Sequence, residues 1–82
     1  MEINLIDTIK DDCKYYERLV NQDAMFESYM YLNECENSEK HGIYQLILNG
    51  SELWFGTLIE INAVVKSMIY LIVHKDRFDP AH

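Results

Sequence analysis

Asn49-Gly50 constrains this chain more than any other pair of residues in it. A type I′ hairpin turn needs positive φ at both central positions, and Asn followed by Gly adopts it at least cost. The flanking segments, Tyr44-Gln-Leu-Ile-Leu48 and Ser51-Glu-Leu-Trp-Phe55, are rich in strand-forming residues. A two-residue loop then predicts the register: Leu48 opposite Ser51, Leu46 opposite Leu53, and Tyr44 opposite Phe55. Alternation along each strand puts those pairs on one apolar face. Ile47 with Glu52, and Gln45 with Trp54, fall on the other, mixed face. The strands are expected at about 43–48 and 51–55.

The hairpin leads directly into a helix start. Gly56 breaks the strand, and Thr57-Leu-Ile-Glu60 has the spacing of a capping box. In that motif the threonine hydroxyl accepts from the amide three residues on, and the glutamate reaches back to the threonine amide. The helix is expected over about 57–75. At 100° per residue, Leu58, Ile61, Val64, Val65, Met68, Ile69, Leu71 and Ile72 cover a broad apolar arc. Glu60, Ser67, Tyr70 and His74 fill the opposite one. The arc is wider than one small sheet requires, so the helix is expected to meet the first helix or a second chain as well.

A first helix is expected over about 5–20. Ile6, Ile9, Cys13, Tyr16 and Val20 recur at spacings of three and four, charged residues hold the other side, and Asn4 stands where an N-cap belongs. The stretch 24–34 is ambiguous. Its Tyr and Phe content predicts a strand at about 25–33, with Phe26, Ser28, Met30 and Leu32 on one face and Met25, Glu27, Tyr29 and Tyr31 on the other. No Gly or Pro parts it from the first helix, and a longer helix is the alternative reading. Residues 36–42, ENSEKHG, read as a polar loop. The predicted fold is α+β with element order α-β-β-β-α. A three-stranded antiparallel meander sheet packs against two helices in a single domain spanning 1–82. Double-stranded-RNA-binding domains share that order, but this chain lacks their basic character.

Charge bears on partners. The 82 residues carry a formal −7, with ten acids and four bases in residues 1–40 against four acids and three bases in 41–82. Nucleic-acid affinity rests on Lys and Arg displacing counterions, so direct binding to DNA or RNA is not expected. A protein partner, one with a basic surface in particular, is favoured. The start, Met1-Glu2-Ile3-Asn4, shows no basic region before an apolar one, and no secretory leader is expected. The longest apolar run, Met68–Val73, shares its segment with Glu60, Asn62 and Lys66, so membrane insertion is not expected either. Two cysteines are too few for a secreted disulfide framework, and a cytoplasmic location is expected.

Catalytic constellations are sparse. Cys13 and Cys35 lack C-x-x-C spacing, and His41, His74 and His82 form no paired-histidine motif. Cys13 falls on an apolar helix stripe, and Cys35 lies between Glu34 and Glu36, which disfavour a thiolate. The serines have no glycine elbow, and the three glycines are isolated. No enzyme, metal or cofactor is expected. The candidate residues are instead those of a binding surface. If both helices cover the Tyr44/Leu46/Leu53/Phe55 face, then Tyr29, Tyr31, Ile43, Ile47 and Trp54 point outward, and aromatic residues dominate interaction hot spots; the alternative is that the first helix or the chain tail covers this face and makes it ordinary core. Glu27, Glu34, Glu36 and Glu39 would rim that patch; together with Asp23 they either imitate nucleic-acid phosphates toward a basic groove or form only a solubilising face. A homodimer through the wide helix face or the Trp54 face is the alternative.

Residues 43–73, a short hairpin running through Gly56-Thr57-Leu58-Ile59-Glu60 into an apolar helix, resemble small accessory proteins of T-even-type and other phages. That resemblance implies a single domain that binds and modulates a host or phage protein, as defence inhibitors and lysis-control factors do. It would place the protein in the host cytoplasm. It assigns no functional residue.

Overall fold

The computed structural model describes residues 4–22, 27–34 and 41–74. Each element begins where local chemistry dictates. Helix α1, Leu5–Asn21, is capped by Asn4, whose side chain accepts the Ile6 amide at 3.0 Å. At its far end Asn21 clamps the entry to the sheet. The Asn21 amide nitrogen donates to the Ser28 carbonyl at 3.0 Å, and its oxygen accepts the Ser28 amide at 2.6 Å. Helix α2, Leu58–Val73, starts at the expected capping box, with the Glu60 amide 3.2 Å from the Thr57 hydroxyl.

Three strands, β1 (Met30–Asn33), β2 (Tyr44–Leu48) and β3 (Ser51–Gly56), form an antiparallel sheet in the order β1-β2-β3. The architecture is therefore the α+β meander anticipated from the sequence. In the ambiguous stretch only Met30–Asn33 is strand, residues 27–29 are neither strand nor helix, and 23–26 lie outside the described residues. Asn49 and Gly50 both take positive φ, 52° and 83°. Asn49 also ties the turn to the edge of β1. Its side chain accepts the Tyr29 amide and its own amide donates to the Tyr29 carbonyl, each at 2.8 Å. The turn thus extends the β1–β2 ladder by one more pair.

The hairpin register departs from expectation at Leu53. Leu48 faces Ser51 and Ile47 faces Glu52, but Leu46 then faces Trp54, Gln45 faces Phe55, and Tyr44 faces Gly56. Leu53 is the extra residue of a β-bulge. Because side chains alternate with period two, a one-residue slip exchanges the faces of everything beyond it. Phe55, expected in the core, is turned outward and is 60% exposed. Trp54, expected outward, lies on the helix side. The bulge brings Gly56 opposite Tyr44, and a Cβ there would stand 2.8 Å from Glu60 Oε2 and 2.9 Å from Trp54 Nε1. Turn and capping box each fix one end of β3, and the bulge absorbs the residue left over between them.

Both helices pack on the same face of the sheet, α1 over β1 and along α2, and α2 over β2 and β3. The core between them holds Ile9, Cys13 and Tyr16 of α1, Met30 and Leu32 of β1, Tyr44 and Leu46 of β2, and Ile61 and Val65 of α2. Burial of these side chains is the main force holding the elements together.

Candidate protein-interaction site

The expected patch divides when the chain folds. Tyr31 and Ile47 do meet, as cross-strand partners on the face away from the helices. Tyr31 is half exposed, whereas Ile47 is only 8% exposed and lies outside the main core cluster. Around them runs a polar chain: Asn33 Nδ2 donates to Gln45 Oε1 at 2.7 Å, and Gln45 Nε2 donates to Glu52 Oε1 at 2.9 Å. Phe55, brought there by the bulge, joins this face opposite Gln45. Tyr29 is exposed and its hydroxyl donates to Glu27, which raises the phenol pKa through the hydrogen bond first and the carboxylate charge second. Glu34 turns toward α1, 3.6 Å from Lys10 Nζ. Glu36 and Glu39 lie outside the described residues.

Trp54 leaves the patch altogether. Its indole N–H donates to Glu60 Oε2 at 3.2 Å, while Glu60 Oε1 accepts the Thr57 amide at 3.4 Å and the Thr57 hydroxyl at 3.1 Å. These donors, the indole foremost, hold the Glu60 carboxyl below its ordinary range. A folding signal, the capping box, therefore also anchors the only tryptophan in the chain.

A second surface lies on α2, where the sequence pattern does not single it out. The face of α2 turned away from the sheet carries Ile59, Tyr70, Leu71 and Val73, exposed by 75%, 51%, 57% and 51%. Leu71 belongs to the apolar arc expected to pack inward; with the arc as wide as it is, the core fills before reaching it. Exposed Ala63, Lys66 and Ser67 lie between these residues. An α-helix that is apolar around most of its circumference is ordinarily covered on both sides. Between Ile59 and Val73, α2 carries two charged side chains, and each is engaged: Glu60 is held by its cap, and the Lys66 ammonium lies 3.0 Å from Asp12 of α1. The Tyr70 ring stacks on His74 with centroids 4.2 Å apart. The available signal was the run Ile59, Ala63, Lys66, Tyr70, Val73, spaced four, three, four and three, which keeps one line along a helix.

Among the described residues, no three of His, Cys, Asp and Glu come together in a way that could hold a metal ion. Cys13 is buried, and burial, then the charges of Glu17 and Asp12, push its thiol up to about 11. That removes the thiolate a nucleophile needs. No helix of the described residues is long and apolar enough to cross a membrane. Compared with protein-family models, with curated proteins and with solved structures, the chain finds no match.

Proposed function

We propose that this protein is a non-enzymatic binding module that works in the cytoplasm and docks on another protein through the outward face of α2. One observation carries the reading: four large apolar side chains stand more than half exposed along a single helix. Exposed apolar side chains in that number on one helix of a small domain mark an interaction surface, and helix faces of this kind dock into grooves or against other helices. The likeness of residues 43–73 to small phage accessory proteins agrees with a modulator of a host or phage protein. A buried free thiol agrees with a reducing compartment. The version in which the acids make the contact draws less support, since Glu27 and Glu34 already engage Tyr29 and Lys10.

Site-specific photo-crosslinking tests the reading. A photoreactive residue at Ile59 or Leu71 should capture a protein, whereas one at Asp11 on the outer side of α1 should not. Capture from Tyr31 and Phe55 with none from Ile59 or Leu71 would move the docking surface to the sheet and defeat the assignment.

A further inference from the structure

The bulge at Leu53 makes neighbours of two side chains that a regular strand would hold apart. Glu52 and Phe55 are three residues apart in sequence, and strict alternation would put them on opposite faces of the sheet. Here Glu52 stands opposite Ile47 and Phe55 stands opposite Gln45, and Ile47 and Gln45 share one face of β2. Glu52 and Phe55 are therefore successive side chains on the open face, about 7 Å apart along β3. Bulges recur beside functional sites, where they re-aim a side chain.

Packing within the domain accounts for neither side chain. Phe55 is 60% exposed, more than Tyr31 on the same face. Glu52 is held in place without being neutralised. Its Oε1 accepts the Gln45 amide at 2.9 Å, and Gln45 is itself oriented by the Asn33 amide at 2.7 Å. Neutral donors fix a carboxylate and leave its charge, and among the described residues no ion pair reaches Glu52. The three strands carry no Lys or Arg on either face. Lys10 and Lys14 of α1 border a hollow of about 280 Å³ at the far edge of the sheet, beside β1. Two strand spacings, about 10 Å, part that edge from Glu52, which is about one screening length in physiological salt. The carboxylate therefore stands without a local counter-charge.

A fixed carboxylate beside an exposed aromatic ring matches one kind of side chain best. A guanidinium is flat and always charged; it lies on a ring face within about 6 Å of the centre while its edge donates to a carboxylate. An apolar side chain would cover Phe55 but strip water from Glu52 without replacing its hydrogen bonds. A lysine ammonium has no flat face to lay on the ring. We propose that Glu52 and Phe55 form a receptor for an arginine side chain of a partner protein. The site lies on the face of the sheet away from both helices and is independent of the docking face assigned to α2.

The test is titration of the isotope-labelled full chain with N-acetyl-arginine amide, followed through the backbone amide resonances. Saturable shifts centred on Glu52 and Phe55 are expected at about millimolar ligand, the strength that a ligand of this size reaches. The lysine amide should bind about threefold more weakly, and the citrulline amide, uncharged but of arginine's shape, about tenfold more weakly. Glu52→Gln keeps an acceptor for Gln45 and removes the charge, while Phe55→Leu keeps apolar bulk and removes the ring; both positions are exposed, so the fold is retained. Each should weaken arginine binding about fivefold. Shifts centred on other acids, equal binding of the citrulline or lysine amide, or indifference to both substitutions would each overturn the proposal. The same shifts on concentrating the protein without ligand would trace the arginine to a second copy and overturn the partner. None of these outcomes bears on the crosslinks expected at Ile59 and Leu71, so the two readings fail separately.

Discussion

The bulge at Leu53 can be tested by asking which side chains the core loses. Leu46 is fully buried on the central strand, while Leu53 and Phe55 on β3 are 37% and 60% exposed. Truncating a fully buried leucine removes its transfer energy and leaves a cavity, so Leu46→Ala should cost about 3 kcal/mol. At Leu53 about two-thirds of a burial worth roughly 1.5–3 kcal/mol is at stake and solvent fills the gap, which gives about 1–2 kcal/mol for Leu53→Ala. Phe55→Ala should cost about 1 kcal/mol by the same reasoning, much of it lost strand preference. A regular hairpin would bury all three and make every loss about 3 kcal/mol or more. Urea unfolding followed by far-ultraviolet circular dichroism and by fluorescence of the sole tryptophan, Trp54, separates these cases. With a slope of about 1 kcal/mol/M, the midpoints of Leu46→Ala and Leu53→Ala should differ by about 1–2 M. A domain of this size is stable by only about 4–12 kcal/mol, so Leu46→Val, costing about 1 kcal/mol, substitutes if the alanine variant does not fold. Equal losses at Leu46, Leu53 and Phe55 would refute the bulge and with it the outward placement of Phe55.

The turn, the capping carboxylate and the buried thiol give further expectations. Asn49→Gly should relieve the positive φ yet lose the acceptor for the Tyr29 amide, while Asn49→Ala loses both advantages and should be the less stable of the two by about 1 kcal/mol in urea unfolding. Glu60 has a folded pKa below its ordinary 4.5, so its contribution is present above that value and is lost as pH falls through the folded one. Trp54 fluorescence should report that transition, and Glu60→Gln should abolish it. Cys13 behaves oppositely: its thiol is raised from 9.0 to about 11, so the stability tied to it is complete below pH 9 and disappears as pH climbs toward 11. Thermal unfolding should fall across that window in the wild type and less steeply in Cys13→Ala. In a Cys35→Ser background, alkylation of folded Cys13 at pH 8 should be slow, with roughly one thiol in a thousand ionised.

Much of this architecture is written in short signals. Asn4, Asn49-Gly50 and Thr57/Glu60 act through hydrogen bonds that span two to four residues, and such signals survive wherever the rest of the chain goes. The spacing of Ile9, Cys13 and Tyr16 likewise announces the buried face of α1, because a helix repeats regardless of its neighbours. The interaction surface is less legible. Pattern alone marks Tyr29 and Tyr31 as exposed, but it puts Trp54 on the wrong face and does not separate the exposed Ile59, Leu71 and Val73 from their buried neighbours. Apolar composition does not say which apolar residues a core has room for. In a helix as uniformly apolar as α2, burial is assigned by the width of the sheet and by α1, both of which come from elsewhere in the chain.

The sequence by itself determined the order of elements, the hairpin turn, both helix caps and the inward stripe of α1, all of them consequences of backbone geometry and nearest-neighbour hydrogen bonding. Only the tertiary structure decided the register beyond Glu52. The turn holds one end of β3 and the Thr57–Glu60–Trp54 cluster holds the other, and the number of residues between them does not match a regular ladder. Leu53 is displaced to reconcile the two, which commits Trp54 to the helix cap and Phe55 to the open face. The same packing leaves the outer line of α2 uncovered. Among the described residues, a sheet of three short strands and one partner helix cannot enclose a helix that is apolar around most of its circumference.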